Sequence, residues 1–249
     1  MTNKGKPSVN IILPVYNEEA ELTKSVTTLV RFCTKQLRDF FVMITIADNA
    51  STDGTRKIAR TLSKMFKHVS IEHLDRKGRG RAVKHAWRKG NYDYLAYMDI
   101  DLSTDLKHLP PILHALERGF DIAIGSRNTR GARVYGRSLL RSVTSKGYIT
   151  LIKLFFWVTF TDAQCGFKAV TRRVVHDLLP YIKDNEWFFD SELLIIGEKS
   201  GYRIYEEPVT WIDNPGSTVR VMKTAFGDLK GLGRLFIGRP WRRIRYGRY

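Results

Sequence analysis

The segment VNIILPVYNEE, residues 9–19, holds the pattern that decides the fold of the chain. It runs from an apolar stretch directly into polar residues that can cap and charge the start of a helix. Two later apolar stretches, 41–47 and 94–98, end in the same way, at Asp48 and at Asp99. Apolar strands that alternate with amphipathic helices are typical of a mostly parallel sheet covered on both faces. The sequence therefore predicts an α/β fold with helices flanking a central sheet.

The other predicted elements follow from the same alternation. In the first half, the patterns predict strands at 69–74 and 120–125 and helices at 17–29, 51–65, 82–89 and 106–118. The second half is less regular and predicts helices at 137–158, 171–181 and 190–199 and a strand at 203–212. A chain of 249 residues, 43% of them hydrophobic, can bury one substantial core. We therefore expect one domain over residues 1–220, followed by a basic appendage over 221–249.

The formal net charge of +17 is concentrated in three parts of the chain. Residues 76–90 carry seven basic residues and no acid, residues 122–161 carry no acid, and residues 219–249 carry nine basic residues and one acid. A surface of this kind favours an anionic partner: nucleic acid, an anionic membrane or a phosphate-rich substrate. No nucleic-acid-binding motif accompanies the charge, so we do not expect nucleic acid as the partner.

The hydrophobic pattern bears on the location of the protein. The first ten residues are mostly polar and predict no signal peptide. No apolar run reaches the roughly 18–20 residues of a membrane span, and residues 148–160, interrupted by Lys153, suit a core or interfacial helix. Cys33 and Cys165 lie far apart, which favours a reducing compartment. We expect a cytoplasmic protein, peripheral on the cytosolic face of a membrane.

We expect two segments to contact that membrane. One is the helix at 137–158, and the other is the tail after Pro240, which mixes arginines with Trp241, Tyr246 and Tyr249. Aromatic rings and cations together are typical of membrane interfaces. The alternative is a basic tail that is simply solvated. The oligomeric state is left open by the sequence.

Polar residues recur directly after the predicted strands. In an open α/β sheet, ligands bind beyond the carboxyl ends of the strands. Each residue alone could be a helix cap, but the coincidence of the whole set favours a binding site. The set comprises Pro14, Tyr16, Asn17, Glu18, Asp48, Asn49, Ser51, Asp99, Asp101, Gly125, Ser126 and Arg127.

The pair Asp99 and Asp101 carries the most specific chemistry. Two carboxylates one residue apart repel each other unless a cation lies between them. Hard oxygen ligands suit Mg²⁺ or Mn²⁺, which commonly bridge a protein carboxylate to substrate phosphates. Departure of a diphosphate is a reaction that needs such a cation. The alternative is a solvated turn with a helix cap.

These motifs, taken in order, resemble a known family. Four motifs resemble those of the family 2 glycosyltransferases of GT-A type: IILPVYNEE at 11–19, ADNASTDGT at 47–55, DID at 99–101 and GSR at 125–127. Three later motifs resemble those of the polyprenyl- or dolichyl-phosphate glycosyltransferases, and among them the glucosyl branch. They are TDAQCGFK at 161–168, EWFFDSELL at 186–194 and GS at 216–217. The resemblance covers roughly residues 8–220 and implies a GT-A, Rossmann-like fold.

The resemblance also implies roles for individual residues. Asp99 and Asp101 match the motif for metal and diphosphate, and Arg127 matches an arginine near the sugar and phosphates. Residues implied in holding the nucleotide sugar are Pro14, Tyr16, Asn17, Glu18, Asp48, Asn49 and Ser51, with Asp48 on the base. Residues implied on the acceptor side are Asp162, Gln164, Cys165, Gly166, Phe167, Lys168, Glu186, Trp187, Asp190, Glu192 and Arg220.

Some residues of this sequence depart from the family pattern or favour a structural role. Asn49 replaces a carboxylate that is more usual in the family, and Ser103 follows the metal motif where the mannosyl branch often has Gln. Cys165 is better explained as a small buried residue than as a nucleophile. Asp190 and Glu192 are two residues apart and cannot share one helix face, so at most one points into the site.

The expected reaction is an inverting transfer of a hexose to a polyprenyl phosphate. UDP-glucose is the first choice of donor, and GDP-mannose and UDP-N-acetylhexosamine are the alternatives. A phosphate monoester is largely deprotonated at neutral pH, so Asp162 is expected to orient groups or act as a weak base. Three other functions stay open: a family 2 transferase with a non-lipid acceptor, a catalytically silent member of the family, and a nucleic-acid-binding protein.

Overall fold

The computed structural model describes residues 5–213 and 221–244, with only the backbone described for 221–225. Its main sheet has seven strands in the order β3-β2-β1-β4-β7-β5-β8. These strands are β1 (Ser8–Val15), β2 (Phe41–Asn49), β3 (Val69–Leu74), β4 (Tyr94–Met98), β5 (Ile122–Ser126), β7 (Phe167–Thr171) and β8 (Ile204–Pro208). A small parallel pair is formed by β6 (Arg133–Tyr135) and β9 (Thr210–Ile212).

All pairings in the main sheet are parallel except those of β7, which runs antiparallel to both β4 and β5. The prediction of a mostly parallel α/β sheet is therefore confirmed. The strand β7 was not predicted, because Phe167 and Lys168 belong to the TDAQCGFK motif, which was interpreted as a loop, and Thr171 was assigned to the predicted helix at 171–181. Its reversed direction brings the start of β7, at Phe167, beside Met98 at the end of β4.

Helices cover both faces of the sheet. They are α1 (Leu22–Gln36), α2 (Thr55–Met65), α3 (Arg79–Lys89), α4 (Leu109–Glu117), α5 (Leu139–Phe156), α6 (Arg172–Leu178), α7 (Phe189–Lys199) and α8 (Val221–Gly238). Short 3₁₀ turns lie at Leu106–His108 and Pro240–Arg243. One apolar core lies between the sheet and α1, α2 and α4, and the other lies between the sheet and α3, α6 and α7. Trp87, Tyr97 and Phe189 pack ring against ring in the second core.

Several predicted boundaries were wrong for identifiable reasons. Residues 17–19 do not begin α1, because Asn17 and Glu19 bind the loop before α2 instead of capping a helix. The predicted strand at 203–212 is two strands, since Pro208 ends β8 without an N–H to donate. The helix at 137–158 ends earlier, at Phe156, because Trp157 adopts a left-handed conformation with φ 54°.

Helix α8 packs on the domain through Leu232 and Leu235, which are buried against α5 and α7. Gly231 permits this contact, because a Cβ at that position would lie 2.3 Å from the Phe188 ring. Across residues 5–213 and 221–244, none of the helices combines the length and the hydrophobicity that a bilayer-spanning segment requires.

Candidate active site

The loops that follow β1 and β2 are held together by hydrogen bonds. The Asn17 amide donates to Ser51 Oγ (3.0 Å), and the Thr52 amide donates to Asn17 Oδ1 (2.8 Å). The Glu18 amide donates to Thr55 Oγ1 (2.8 Å). Asn17 has φ 56°, a left-handed conformation that Asn tolerates better than most residues. The structure thus brings the predicted residues Asn17, Glu18 and Ser51 together at the edge of the sheet.

Asp48, near the end of β2, is fully buried, and both of its carboxylate oxygens have partners. Oδ1 accepts from the Ser51 amide (3.1 Å), and Oδ2 lies 2.8 Å from His73 Nδ1. His73 stands opposite Asp48 in the pairing of β2 with β3. Sequence reasoning missed His73, although its position near the end of the neighbouring strand was a signal. The contact of Asp48 with a nucleotide base stays a prediction.

The basic loop between β3 and α3 folds over this group. The Gly78 amide donates to Asn49 Oδ1 (2.7 Å), and Lys77 Nζ lies 3.3 Å from the centre of the Tyr16 ring. Gly78 has φ 156°, and a Cβ there would lie 2.6 Å from the Asn185 carbonyl oxygen. Backbone conformation and space both require glycine at this position. The predicted residues Tyr16 and Asn49 therefore position the basic loop.

The two aspartates of the DID motif follow β4 directly. Asp101 accepts two hydrogen bonds from Ser103, one from the amide (3.0 Å) and one from the hydroxyl (2.6 Å). The Asp99 amide donates to the Gly166 carbonyl (3.1 Å), and a Cβ at position 166 would lie 1.8 Å from Asp99 Oδ2. Gly166, at the entrance to β7, thus leaves the space that the Asp99 carboxylate occupies.

The carboxylates in this region repel one another. Burial raises the pKa of Asp101, and the charge of Asp99 raises it further against the hydrogen bonds from Ser103. Burial and the charges of neighbouring acids, Glu21 and Asp101 first among them, raise the pKa of Glu18 to about 7. A divalent cation would relieve this repulsion, and hard carboxylate oxygens are suitable ligands for Mg²⁺ or Mn²⁺.

The protein itself supplies few ligands for such a cation. Within residues 5–213 and 221–244, no group of three or more His, Cys, Asp or Glu side chains is arranged to hold a metal. Asp99 and Asp101 could therefore hold Mg²⁺ or Mn²⁺ only together with water and substrate oxygens. Mg²⁺ is commonly bound in this way, by one or two carboxylates and substrate phosphates.

A buried ion-pair network lies next to Asp99. Arg79 Nη2 lies 2.6 Å from Asp99 Oδ1, and Arg79 Nη1 lies 2.6 Å from Asp190 Oδ2. Lys168 Nζ lies 2.9 Å from Asp190 Oδ1. The Arg79 guanidinium also lies 5.0 Å from the Trp187 ring. Sequence reasoning missed Arg79, because it was one of seven basic residues in the 76–90 run with no feature that singled it out.

Arg127 and Asp162 form a second buried pair. Arg127 Nε and Nη2 donate to the two Asp162 oxygens at 2.7 and 2.9 Å, and the Arg127 amide donates to Oδ2 (3.0 Å). Burial alone would raise the pKa of Asp162, but the Arg127 charge and hydrogen bonds lower it to about 2. Asp162 is thus a partner that orients Arg127, and it is a poor proton acceptor.

The remaining acceptor-side residues do not form one group. Gln164 Nε2 donates to Asp228 of α8 (3.0 Å), and Arg234 of the same helix pairs with Glu192 at 2.6 Å. Glu192 therefore faces α8 while Asp190 faces the site, because the two side chains project from different faces of α7. Burial raises the pKa of the Cys165 thiol to about 11, which agrees with a packing role.

Other predicted residues take structural positions. Phe167 is a buried residue of β7, Pro14 is a half-buried residue of β1, and the Trp187 ring is partly exposed. The side chain of Glu186 lies against the basic loop, close to the position that a Cβ on Gly78 would occupy. Arg220 lies outside the described residues.

The sequence of the chain matches a known protein family. The sequence model of the family described as "Glycosyl transferase family 2" matches residues 10–179. Glycosyltransferase AglD of Haloferax volcanii is 32% identical over 94% of this chain and 37% of its own length. The dolichyl-phosphate beta-glucosyltransferase of Dictyostelium discoideum is 27% identical over 91% of this chain and 73% of its own length. The chain thus spans little more than a third of the Haloferax protein.

The fold is also similar to a solved structure. Glucosyl-3-phosphoglycerate synthase of Mycobacterium tuberculosis, in complex with UDP, superimposes with a TM-score of 0.68. The alignment has 16% identity and covers 95% of this chain and 81% of that chain. The same enzyme has been solved with Mn²⁺, UDP and glucosyl-3-phosphoglycerate, at a TM-score of 0.65 and 16% identity over 97% and 81% of the two chains. At this identity the likeness shows the fold, and it confirms the predicted GT-A architecture.

Proposed function

The chain belongs to glycosyltransferase family 2, and from that premise we propose that it transfers a hexose from a nucleotide sugar to a polyprenyl or dolichyl phosphate. The relative from Dictyostelium discoideum is named a dolichyl-phosphate beta-glucosyltransferase, and so is a relative from Saccharomyces cerevisiae that is 26% identical over 84% of this chain. These names support glucose as the sugar and a lipid phosphate as the acceptor. UDP-glucose is the proposed donor, and the transfer inverts the configuration at the anomeric carbon.

The observation that carries the proposal is the position of Asp99 and Asp101. They lie at the carboxyl edge of the parallel strands, beside the Asn17–Ser51 contact, where open α/β sheets bind ligands. A bound Mg²⁺ or Mn²⁺ would be held by these two aspartates and would neutralise charge on the leaving diphosphate. The structural relative that holds both Mn²⁺ and UDP supports a divalent cation with this fold.

The other residues of the site bind and orient. Arg127 donates two of its five guanidinium N–H groups to Asp162. These bonds fix the orientation of the guanidinium and leave its other N–H groups for a ligand. An arginine held in this way is suited to bind phosphate. The acceptor phosphate is largely ionised at neutral pH, so no strong base is needed to activate it. The low pKa of Asp162 is compatible with that chemistry.

The enzyme is proposed to act as a peripheral protein on the cytosolic face of a membrane. Supporting this, α5 and α8 expose large apolar side chains, among them Leu139 (86% exposed) and Ile237 (86%). Isolated exposed apolar residues are normal, but a group of them on two neighbouring helices marks an interaction surface. We propose that residues 1–220 form the catalytic domain and that 221–249 contribute to the membrane contact.

One experiment tests the proposal. The purified protein is incubated with dolichyl phosphate, Mg²⁺ or Mn²⁺ and, in turn, UDP-glucose, GDP-mannose and UDP-N-acetylglucosamine, and the lipid products are identified by mass spectrometry. A soluble phosphate monoester, 3-phosphoglycerate, serves as the competing acceptor. The proposal expects glucosylated dolichyl phosphate and a requirement for the metal. Transfer to the soluble acceptor alone would contradict it.

A further inference from the structure

A cavity of about 600 Å³ lies between the loop after β5 and the side of α5. Loop residues 127–132 form one wall, and Lys146, Ile149, Thr150 and Lys153 of α5 form the other. This volume is in the range of cavities that bind small molecules or headgroups. This space is the α5 cavity.

The α5 cavity is strongly cationic. Of its lining cations, Arg127 is neutralised by Asp162, whereas Arg130, Lys146 and Lys153 form no ion pair with any residue that the structure describes. No acidic side chain lines the cavity. Three uncompensated cations around one space favour an anion there, and a phosphate group is the common biological anion of suitable size.

The wall opposite α5 is fixed by its own hydrogen bonds. Asn128 Nδ2 donates to the Thr161 carbonyl (2.8 Å), and the hydroxyls of Thr129 and Thr161 lie 3.0 Å apart. Thr161 is in turn held by Glu206, whose carboxylate accepts from the Thr161 amide (2.8 Å). This wall is therefore held in place by the body of the domain, and the cavity exists without rearrangement of the loop.

The position of the cavity on α5 favours a membrane lipid as the source of the phosphate. Leu139, Val143 and Leu154 form a stripe along α5 and are 86%, 67% and 70% exposed. At 3.6 residues per turn, Lys146 and Lys153 lie roughly 60° around the helix from this stripe. If the stripe enters the apolar layer of a bilayer, the two lysines lie at the level of the headgroups, where lysine side chains reach the interface.

We propose that the α5 cavity binds the phosphate of an anionic phospholipid headgroup and thereby fixes α5 on the membrane. The inference rests on the membrane location in the proposed function and adds a defined lipid site to it. No aromatic side chain lines the cavity, whereas single-stranded nucleic acid is usually bound on aromatic stacking platforms. A bilayer, not a nucleic acid, is therefore the partner that the cavity fits.

The test is vesicle flotation with variants that change the cavity and leave the catalytic residues intact. The probe vesicles are phosphatidylcholine alone and phosphatidylcholine with phosphatidic acid. The cavity variant is Lys146→Gln with Lys153→Gln. Its matched control is Lys57→Gln with Lys64→Gln on α2, which removes the same charge at the same i, i+7 spacing from exposed positions.

The proposal expects the wild type to bind the vesicles that contain phosphatidic acid. The cavity variant should lose about thirty-fold in binding, since a lysine near an anionic surface contributes on the order of 1 kcal/mol. The control pair should bind as the wild type does. Equal losses in the two pairs would overturn the proposal, because the effect would then be one of net charge.

A variant that keeps the net charge distinguishes binding at a defined site from general electrostatic attraction to the vesicle surface. Ala132→Trp places a large ring in the cavity and keeps every cation, and the proposal expects it also to weaken vesicle binding. Normal binding by this variant would overturn the defined site. Thermal melts of all variants by circular dichroism establish that they are folded.

Two further arms identify the source of the anion. A single-stranded oligonucleotide should bind the wild type and the cavity variant alike, whereas inorganic phosphate, titrated by calorimetry, should bind the cavity variant more weakly, because the cavity cations contact the phosphate group itself. If the cavity variant lost either ligand and kept its vesicle binding, the lipid assignment would be overturned. None of these assays requires donor, metal or turnover, so the inference can fail while the proposed reaction stands, and the reverse.

Discussion

Arg79 at the start of α3 and Asp99 directly after β4 form an ion pair, with Nη2 and Oδ1 2.6 Å apart. The same guanidinium pairs with Asp190 of α7, so it joins three elements of the fold at the DID motif. Arg79 is 8% exposed and Asp190 is 2% exposed. The ion pair therefore fixes the Asp99 carboxylate on its buried side, while the Asp99 side chain remains 43% exposed to solvent and ligands.

Removing Arg79 should destabilise the protein. Arg79→Leu leaves two carboxylates without their shared cation, one of them buried, and the expected cost is about 3 kcal/mol in the free energy of unfolding. Urea denaturation measures it. The control is Arg88→Leu, an exposed position on the same helix, which should cost little. Equal stability of the two variants would show that the network does not hold the site.

Gly166→Ala should abolish metal-dependent nucleotide binding while the fold is kept. The added Cβ would lie 1.8 Å from Asp99 Oδ2, so the carboxylate must move. Calorimetry with UDP and Mn²⁺ measures the loss. Gly233→Ala is the matched control, because nothing lies within 4 Å of a Cβ there. Unchanged binding by Gly166→Ala would place the nucleotide elsewhere.

Asp162 should contribute stability that depends on pH. Its pKa of about 2 in the folded protein lies below the unfolded value of about 3.9, so the contribution is complete above about pH 4. It should be lost as the pH falls through about 2, and the difference corresponds to about 2 kcal/mol. Urea denaturation of the wild type and Asp162→Asn across this range should show their stabilities converging. A difference that does not change with pH would contradict the assignment.

The apolar side chains on α5 should drive membrane binding without supporting the fold. Leu139→Gln with Leu140→Gln changes two residues that are 86% and 72% exposed, so the unfolding free energy should hardly change. Vesicle binding should fall by about tenfold or more, because burying one such side chain contributes about 1.5–3 kcal/mol. Met65→Gln, which is 64% exposed on α2, is the control and should bind normally.

The tail offers a separate test of the membrane contact. A chain truncated before Pro240 loses four arginines and the aromatic rings of Trp241, Tyr246 and Tyr249. The Trp241 ring lies 6.0 Å from that of Phe156. Its co-sedimentation with anionic vesicles should be weaker than that of the intact chain. Equal co-sedimentation would leave α5 and α8 as the contact.

Much of the site could be predicted because its residues follow apolar strands. Asp48 and Asp99 lie at the ends of β2 and β4, the two strands that flank β1, and parallel strands bring such ends to one edge of the sheet. The contact of Asn17 with Ser51 follows from the same alignment. Local patterns were sufficient there because each strand is a continuous apolar run.

The rest depends on contacts between distant parts of the chain. Arg79 and Asp190 are 111 residues apart and meet only because α3 and α7 lie on the same face of the sheet. The strand β7 is antiparallel and short, and its first two residues overlap the end of the TDAQCGFK motif, so no alternation marked it. Glu192 turns to α8 because Arg234 is there, a pairing that the sequence does not encode locally.

Nucleotide binding with and without the metal is the most direct test of the role assigned to the DID motif. Calorimetric titration of UDP into the wild type with Mn²⁺, with EDTA, and into Asp101→Asn with Mn²⁺ gives the three affinities. We predict binding in the first case and its loss in the other two, with Asp101→Asn still folded by circular dichroism. If Asp101→Asn bound UDP in Mn²⁺ as tightly as the wild type, Asp99 and Asp101 would not be the metal and diphosphate site.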